Sequence, residues 1–285
     1  MSVNNNREML ILNPKEYEEI HLKLVRKSFN IDLSILKRFK PHTLIEQNTA
    51  SLMDRVDSKF LLPIHIFEPL MNALLKDYSI LDVNGRNIFN YQTTYFDTAD
   101  RQFYLDHHNG KLNRYKVRFR RYVDSDMGYI EIKFKNNKKR TIKERIPMNC
   151  VTPDQEEIND FVHKELGYST PLETALYVNY QRITLLNKHN PERITIDLNL
   201  SFESAKESIK SVQEKIFIVE IKQEKKPYPS SCREYIKMNG YKSTDFSKYC
   251  IGCALTKNVN SNFDLLKKNR FKLILNKLDS LNTQH

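Results

Sequence analysis

Residues 113 to 148, NRYKVRFRRYVDSDMGYIEIKFKNNKKRTIKERIPM, constrain the fold more than any other stretch. Along a strand, successive side chains point to opposite faces. Read that way, Lys116, Arg118 and Arg120 fall on one side, with Val117 and Phe119 on the other. Glu131, Lys133 and Lys135 oppose Ile130, Ile132 and Phe134, and Lys143 and Arg145 alternate with Ile142, Glu144 and Ile146. The turn signals DSDMG and KNNKK separate the three runs. The stretch predicts an antiparallel meander with one apolar face and one face crowded with cations.

A charged, solvated outer face is ordinary for a single strand. Three consecutive strands are another matter, because like charges opposite one another across a sheet repel. A bound polyanion would relieve that repulsion. Arginine forks and lysine point charges both suit phosphate oxygens.

The same alternation recurs elsewhere. Arg55, Asp57 and Lys59 share one face of a short run that Pro63 ends. IFNYQTTYFD at 88–97, LYVNYQRITLL at 176–186, RITIDLNLSF at 193–202 and KIFIVEIK at 215–222 read as further strands. Tyr180 and Arg182 share a face, as do Thr195 and Asp197, and Glu220 and Lys222. Amphipathic helices are predicted at 14–29, 44–52, 64–76, 98–106, 153–167 and 231–238, in a short segment opening at Phe246 and in a basic tail at 261–277. The count is about eight strands, and the helices need an apolar surface to cover. The expected fold is α+β: an eight-stranded antiparallel β-barrel, a tunnel with a polar lumen and helices packed outside. The expected division is a helical extension over 1–43, the tunnel domain over 44–258 and a helical tail over 259–285.

The chain has 285 residues, is 40% hydrophobic and carries a net charge of +11. That charge points to an anionic partner: nucleic acid, an acidic membrane surface or a phosphorylated molecule. No apolar run approaches the length of a membrane span, and the N-terminus lacks the apolar core of a signal peptide. The reducing cytoplasm is the expected compartment, and the four cysteines suggest no disulfide scaffold. Cys250-x-x-Cys253 has no second pair at zinc spacing and lies in a helical pattern. The adjacent His107 and His108 read as a solvated helix end.

In order along the chain stand Arg55-Val-Asp-Ser-Lys59-Phe, Thr94-Tyr-Phe-Asp-Thr98, Lys116-Val-Arg118-Phe-Arg120-Arg-Tyr122, Glu131-Ile-Lys133, Lys143-Glu-Arg145, Tyr180-Gln-Arg182, Arg193-Ile-Thr-Ile-Asp197, Glu220-Ile-Lys222 and Phe246-Ser247-Lys248-Tyr249. This series resembles the polyphosphate polymerase domain of the vacuolar transporter chaperone (VTC) complex, especially its stand-alone bacterial relatives among the triphosphate tunnel metalloenzymes. The resemblance implies metal-dependent transfer of the terminal phosphoryl group of ATP to a growing polyphosphate chain, with Mn2+ or Mg2+. It implies that Lys59, Arg118, Arg120, Lys133, Lys143, Arg145, Arg182 and Lys222 line the phosphate path. Ser247 and Lys248 would bind substrate at one tunnel mouth. The alternation itself adds Arg55 to the substrate contacts, and the Tyr95 hydroxyl is a candidate for a phosphate hydrogen bond, with packing as its other role. Glu220 would be the principal metal ligand, with Glu131 and Asp197 as secondary candidates. Asp245 stands close to where the eukaryotic polymerases carry a further basic group. No phosphate-sensing SPX domain fits the first 45 residues and no membrane span follows. Translocation would then need a membrane-protein partner, with this chain peripheral at the inner face of the membrane.

Three other readings stay open: a triphosphatase or other nucleotide-processing tunnel enzyme, a non-enzymatic polyphosphate-binding module, and a nucleic-acid binder. The last fits the net charge but not the pattern, since such a module wants exposed cations with stacking aromatics and no carboxylates among them. No specific nucleic acid is therefore expected as a partner.

Overall fold

In the computed structural model, residues 31–49, 55–138, 140–148, 154–206, 209–225, 228–256 and 266–283 are described. The helix expected at 14–29 lies outside them. Where apolar and charged residues alternate, strands form and pair: β1 (Lys40–His42), β2 (Arg55–Pro63), β3 (Tyr78–Leu81), β4 (Phe89–Asp97), β5 (Arg114–Tyr122), β6 (Met127–Lys135), β7 (Thr141–Met148), β8 (Glu173–Asn187), β9 (Glu192–Ser204), β10 (Lys210–Gln213) and β11 (Ile216–Glu224). The helices are α1 (Leu44–Thr49), α2 (Phe67–Leu74), α3 (Gln102–His108), α4 (Gln155–Leu166), α5 (Ser231–Met238), α6 (Lys248–Leu255) and α7 (Lys272–Thr283).

Eight of the strands form one continuous antiparallel path, β2-β11-β9-β8-β4-β5-β6-β7. The other three are additions at its margin: β10 extends β9, β3 joins β8, and β1 pairs with β3 in parallel. These three short strands carry no charged alternation, and the sequence reading did not include them.

The expected closed barrel is not what forms. Among the described residues, β7 and β2 are the two ends of the path and no ladder joins them. The sheet nevertheless curls. Lys143 on β7 lies within electrostatic reach of Arg55 and Asp57 on β2, and burial followed by the Arg55 charge lowers its pKa. Cations stand on both edges of the seam, with Asp57 paired to Arg55 between them.

The apolar faces bury under helices. Phe60, Leu62, Ile183, Leu185, Ile194, Ile196, Phe217, Val219 and Ile221 pack under Leu70, Met71 and Leu74 of α2 and Ile236 of α5. Val117, Phe119, Ile130 and Ile132 pack under Ile158, Phe161 and Val162 of α4. The helices thus cover the face opposite to the cations, as the alternation demands.

One end of the curled sheet is filled differently. There Leu61, Leu176, Val178, Leu200, Phe202, Ile216 and Ile218 pack with Phe246, Tyr249, Cys250 and Ile251 at the start of α6 and with Phe271 and Leu278 beside and within α7. Asp97 ties this end together. Its buried carboxylate accepts from the backbone of Thr98, Phe103 and Tyr104 at 2.7, 2.9 and 3.0 Å, and from the Tyr249 hydroxyl. Gly252 lets α6 sit this close: a Cβ there would lie 2.5 Å from both Leu176 Cδ2 and Phe202 Cδ1. Gly252→Val is expected to overpack the contact at a cost of about 3 kcal/mol, lowering the urea midpoint; an unchanged midpoint would mean that α6 is loosely held.

The histidine pair corrects the sequence reading. His108 is buried and packs edge-on to Phe271, and its Nε2 accepts from the backbone of Arg270 at 3.4 Å. His107 stacks on the same ring, and burial together with nearby Lys116, Arg114, Arg270 and Lys135 pushes its pKa down to about 2. The segment before α7 covers this helix end, a long-range contact that local periodicity does not reveal.

Candidate functional site

The cationic face is built by register. Lys116 lies opposite Lys133, which lies opposite Lys143; Arg118 lies opposite Glu131, which lies opposite Arg145. Across the sheet, Arg182 faces Asp197, Glu220 faces Lys59 and Thr195, and Lys222 faces Asp57 and Arg193. Seven of the eight path strands therefore place a cation on this one face; the eighth, β4, contributes Tyr91, Thr93 and Tyr95.

Each of three carboxylates holds two cations. Glu220 takes Lys59 at 3.1 Å and also Lys222, whose ammonium donates in addition to Thr195 Oγ1 at 3.3 Å. Asp197 receives the Arg182 fork at 2.6 and 2.8 Å, together with Lys248. Glu131 accepts from Arg118 Nε at 2.5 Å and has Arg120 at 3.9 Å. Arg118 also donates to the Tyr95 hydroxyl at 3.4 Å. Arg55 pairs with Asp57 at 3.0 Å. Ser247 accepts from Lys116 at 3.0 Å and caps α6 by accepting from the Cys250 backbone at 3.3 Å.

Aromatic rings fill in between. Tyr91 and Tyr180 stack at 5.1 Å, and the Arg182 guanidinium lies 5.0 Å from the first ring and 5.2 Å from the second. Arg120 lies over Tyr91 at 5.6 Å, Lys248 over Tyr180 at 4.5 Å and Arg145 over Tyr129 at 5.2 Å. Such contacts hold guanidinium groups without neutralising them. Among the described residues, buried Arg120 Nε and the Thr93 and Tyr180 hydroxyls find no hydrogen-bond partner.

The electrostatics follow from this crowding. Burial works against every ion here, but the paired cations hold Glu131 down at about 2 and hold Asp197 and Glu220 below the usual carboxylate range. Arg118, burial and Arg120 drive Lys133 well below its ordinary value. Lys116 falls to about 8, chiefly by burial, and Lys222 falls to about 8 by burial although Glu220 opposes the fall. Burial would also lower Lys59, but Glu220 outweighs it and raises that lysine.

The face thus brings together Lys59, Arg118, Arg120, Lys133, Arg182, Lys222, Lys248, Ser247 and Tyr95, while Arg55, Lys143 and Arg145 stand at the more open seam. Sequence reasoning left Lys116, Arg193, Tyr91 and Tyr129 out of the site. The signal for Lys116 was its place in the same alternation as Arg118; for Arg193 it was its place beside Asp197.

The carboxylates do not converge. Among the described residues no three His, Cys, Asp or Glu side chains gather to hold a metal ion. Glu220, Glu131 and Asp197 are each engaged with their own cations. A magnesium-like ion needs only one or two carboxylates when phosphates supply the remaining oxygens. Glu220 suits that role best, because its partners are two lysine point charges rather than the bidentate fork that fixes Asp197.

Removing one partner of a buried pair leaves the other charge uncompensated. Arg182→Met, which strands Asp197, is expected to destabilise the fold by about 3 kcal/mol in urea unfolding. A loss below about 0.5 kcal/mol would mean that Lys248 alone satisfies Asp197.

Residues 54–257 match the family model described as the VTC domain, which is well over half of the chain. The chain belongs to the VTC domain family. Among curated proteins none matches it. Solved structures give looser likenesses. A conserved hypothetical protein from Pyrococcus furiosus is 16% identical over 66% of this chain and 91% of its own, with a TM-score of 0.36. A putative adenylate cyclase from Bacillus halodurans is 11% identical over 68% and 94%, with a TM-score of 0.43. A putative adenylyl cyclase from Hippeastrum, described as having a dominant triphosphatase activity, is 12% identical over 72% and 98%, with a TM-score of 0.43. At these TM-scores the likenesses are too loose to bear on the chemistry of this VTC domain. None of its described helices is long and apolar enough to cross a membrane.

Proposed function

We propose that this chain is a tunnel-type polyphosphate polymerase, which moves the terminal phosphoryl group of ATP onto the end of a polyphosphate chain. The observation that supports it best is the run of cations from seven strands on one curled face, too extended for a single phosphate and suited to a row of them. Membership of the VTC domain family agrees with it.

In this reading Arg118, Arg120, Lys133, Lys143 and Arg145 hold phosphates along β5 to β7, and Lys59, Arg182, Lys222 and Lys248 hold them on the opposite wall. Arg55, Ser247 and Tyr95 extend the contacts. An oxygen of the acceptor's terminal phosphate forms a bond to the γ-phosphorus. The bond to the β–γ bridging oxygen breaks, and its electron pair leaves with ADP. The acceptor is already an anion, so no protein base has to take a proton. Phosphoryl transfer of this kind depends on in-line positioning and neutralised oxygens. Glu220 would hold the divalent ion, with Glu131 and Asp197 mainly orienting the arginines. When bound, that ion neutralises charge on the reacting phosphate oxygens. A membrane-protein partner would take the product onward.

The test is incubation with ATP and Mn2+ or Mg2+, with and without a short polyphosphate primer, resolved on a gel by chain length. A ladder that lengthens with time is expected. ATP consumed to orthophosphate with no ladder would replace the polymerase reading with a triphosphatase, and ATP left intact alongside tight polyphosphate binding would replace it with a binding module.

A further inference from the structure

The end of the curled cationic face nearest α6 is filled on one side only. There α6 packs against β8 and β9 through Leu176, Phe202 and its own Tyr249 and Ile251. The β5–β6 side of the same end carries cations instead. Lys116 lies within electrostatic reach of Lys59 and Arg118 inward and of Arg114 outward. Arg114 in turn feels Arg270, and both surround His107 together with Lys135. The guanidinium groups are fixed in place: Arg114 donates to the Lys111 carbonyl at 2.6 Å and Arg270 to that of His108 at 3.2 Å. Two carboxylates act on Arg114, Asp245 and Asp106; Asp106 is taken by Lys111 at 2.9 Å, so the cations Lys116, Arg114, Lys135 and Arg270 still outnumber them.

The turn that closes the β5–β6 hairpin, at the far end of β5, is balanced. Asp126 pairs there with Arg121 at 2.6 Å, and Asp124 pairs with Arg86 at 2.7 Å and accepts from the Asn90 backbone at 2.6 Å. The charge along β5 is therefore lopsided, with cations running out past α6 and neutral pairs at the opposite turn.

We propose that polyphosphate leaves the curled cationic face between the start of β5 and the N-terminus of α6, along Lys116, Arg114, Lys135 and Arg270. This rests on the polyphosphate reading above and adds a direction to it. It also assigns a role to Arg270, which lies beyond the span that matches the VTC domain. A nucleotide base would then occupy the other end, since α6 and its apolar packing fill the space beside the exit.

The test is binding of two inorganic probes, tripolyphosphate and a long linear polyphosphate, measured by calorimetry across a salt series. Tripolyphosphate is short enough to stay on the inner cations; the long chain must also cross the exit. The Arg114→Gln/Arg270→Gln variant is expected to weaken the long chain about tenfold and leave tripolyphosphate unchanged. Its salt dependence for the long chain should flatten by about two log units per log unit of salt, one for each cation removed. Arg270→Lys keeps the charge but loses the guanidinium hydrogen bond to the His108 carbonyl, and should bind the long chain as wild type does. If the double variant binds both probes like wild type, the exit lies elsewhere. If both affinities fall together, the arginines act through the fold rather than on the chain, and the proposal fails. If Arg270→Lys loses as much as the glutamine variant, Arg270 only caps α3 and its assigned role fails. Wild-type protein that binds neither probe would overturn the polyphosphate reading itself.

Discussion

Glu220→Gln is expected to abolish polymer synthesis, by at least about a hundredfold, and to destabilise the fold by about 3 kcal/mol. The second effect follows from the pairing alone. Glu220 is the shared counter-charge of Lys59 at 3.1 Å and of Lys222; Glu220 and Lys222 are largely shielded from solvent, while Lys59 is half-buried. Without the carboxylate the two ammonium groups face each other, and an uncompensated buried charge costs on this order. The first effect follows from the proposed chemistry, in which Glu220 holds the divalent ion; loss of one group that stabilises transition-state charge typically costs two to three orders of magnitude. The two are separable. Adding Lys222→Met to Glu220→Gln removes the stranded cation, and the double variant should regain most of its stability in urea while staying inactive. Activity that returns together with stability would make Glu220 a structural counter-ion only.

The charged face was the most legible part of the chain. Strict alternation at 116–120, 130–134 and 193–198 fixes which residues share a face, because a slip of one residue would put cations into the apolar layer. Strands and helices follow from that, as does their arrangement with helices opposite the cations. Closure was not legible. Whether β7 pairs with β2 depends on groups brought together only by the curl of the sheet, such as Lys143 beside Arg55 and Asp57. The added strands β1, β3 and β10 were also missed, being short and of mixed pattern. Within the site, alternation revealed the faces but not the pairings. That Asp197 serves both Arg182 and Lys248, residues 51 positions apart for the second pair, is a product of α6 docking into the end of the sheet. The same docking explains Tyr249 on Asp97 and the burial of His108, which no local pattern announces.

Affinity for long-chain polyphosphate should fall about a hundredfold between pH 7 and pH 9, while the free protein becomes more stable above pH 8. Both follow from Lys116 and Lys222, which burial holds at about 8 against an ordinary 10.5. In the free protein, folded lysines at about 8 bind fewer protons than unfolded ones between pH 8 and 10.5. Stability therefore rises with pH across that window, and below it the cost of keeping both charged is fully present. Lys59, raised by Glu220, has the opposite sign but acts only above 10.5. Binding reverses the balance. A phosphate chain favours the charged ammonium groups, so above pH 8 each lysine must first be reprotonated, at about tenfold per pH unit. Two lysines, each losing about tenfold between pH 7 and 9, give the hundredfold. At pH 8, where each is half protonated, binding should take up about one proton from these two groups together. Lys133, driven well below its ordinary value by Arg118, burial and Arg120, adds to the uptake. Calorimetry at pH 8 in two buffers of different ionisation enthalpy reads that number directly. Proton release, or an affinity that is flat from pH 7 to 9, would mean that neither lysine touches the phosphates; a stability that falls from pH 8 to 10 would mean that their charges are not strained in the free protein.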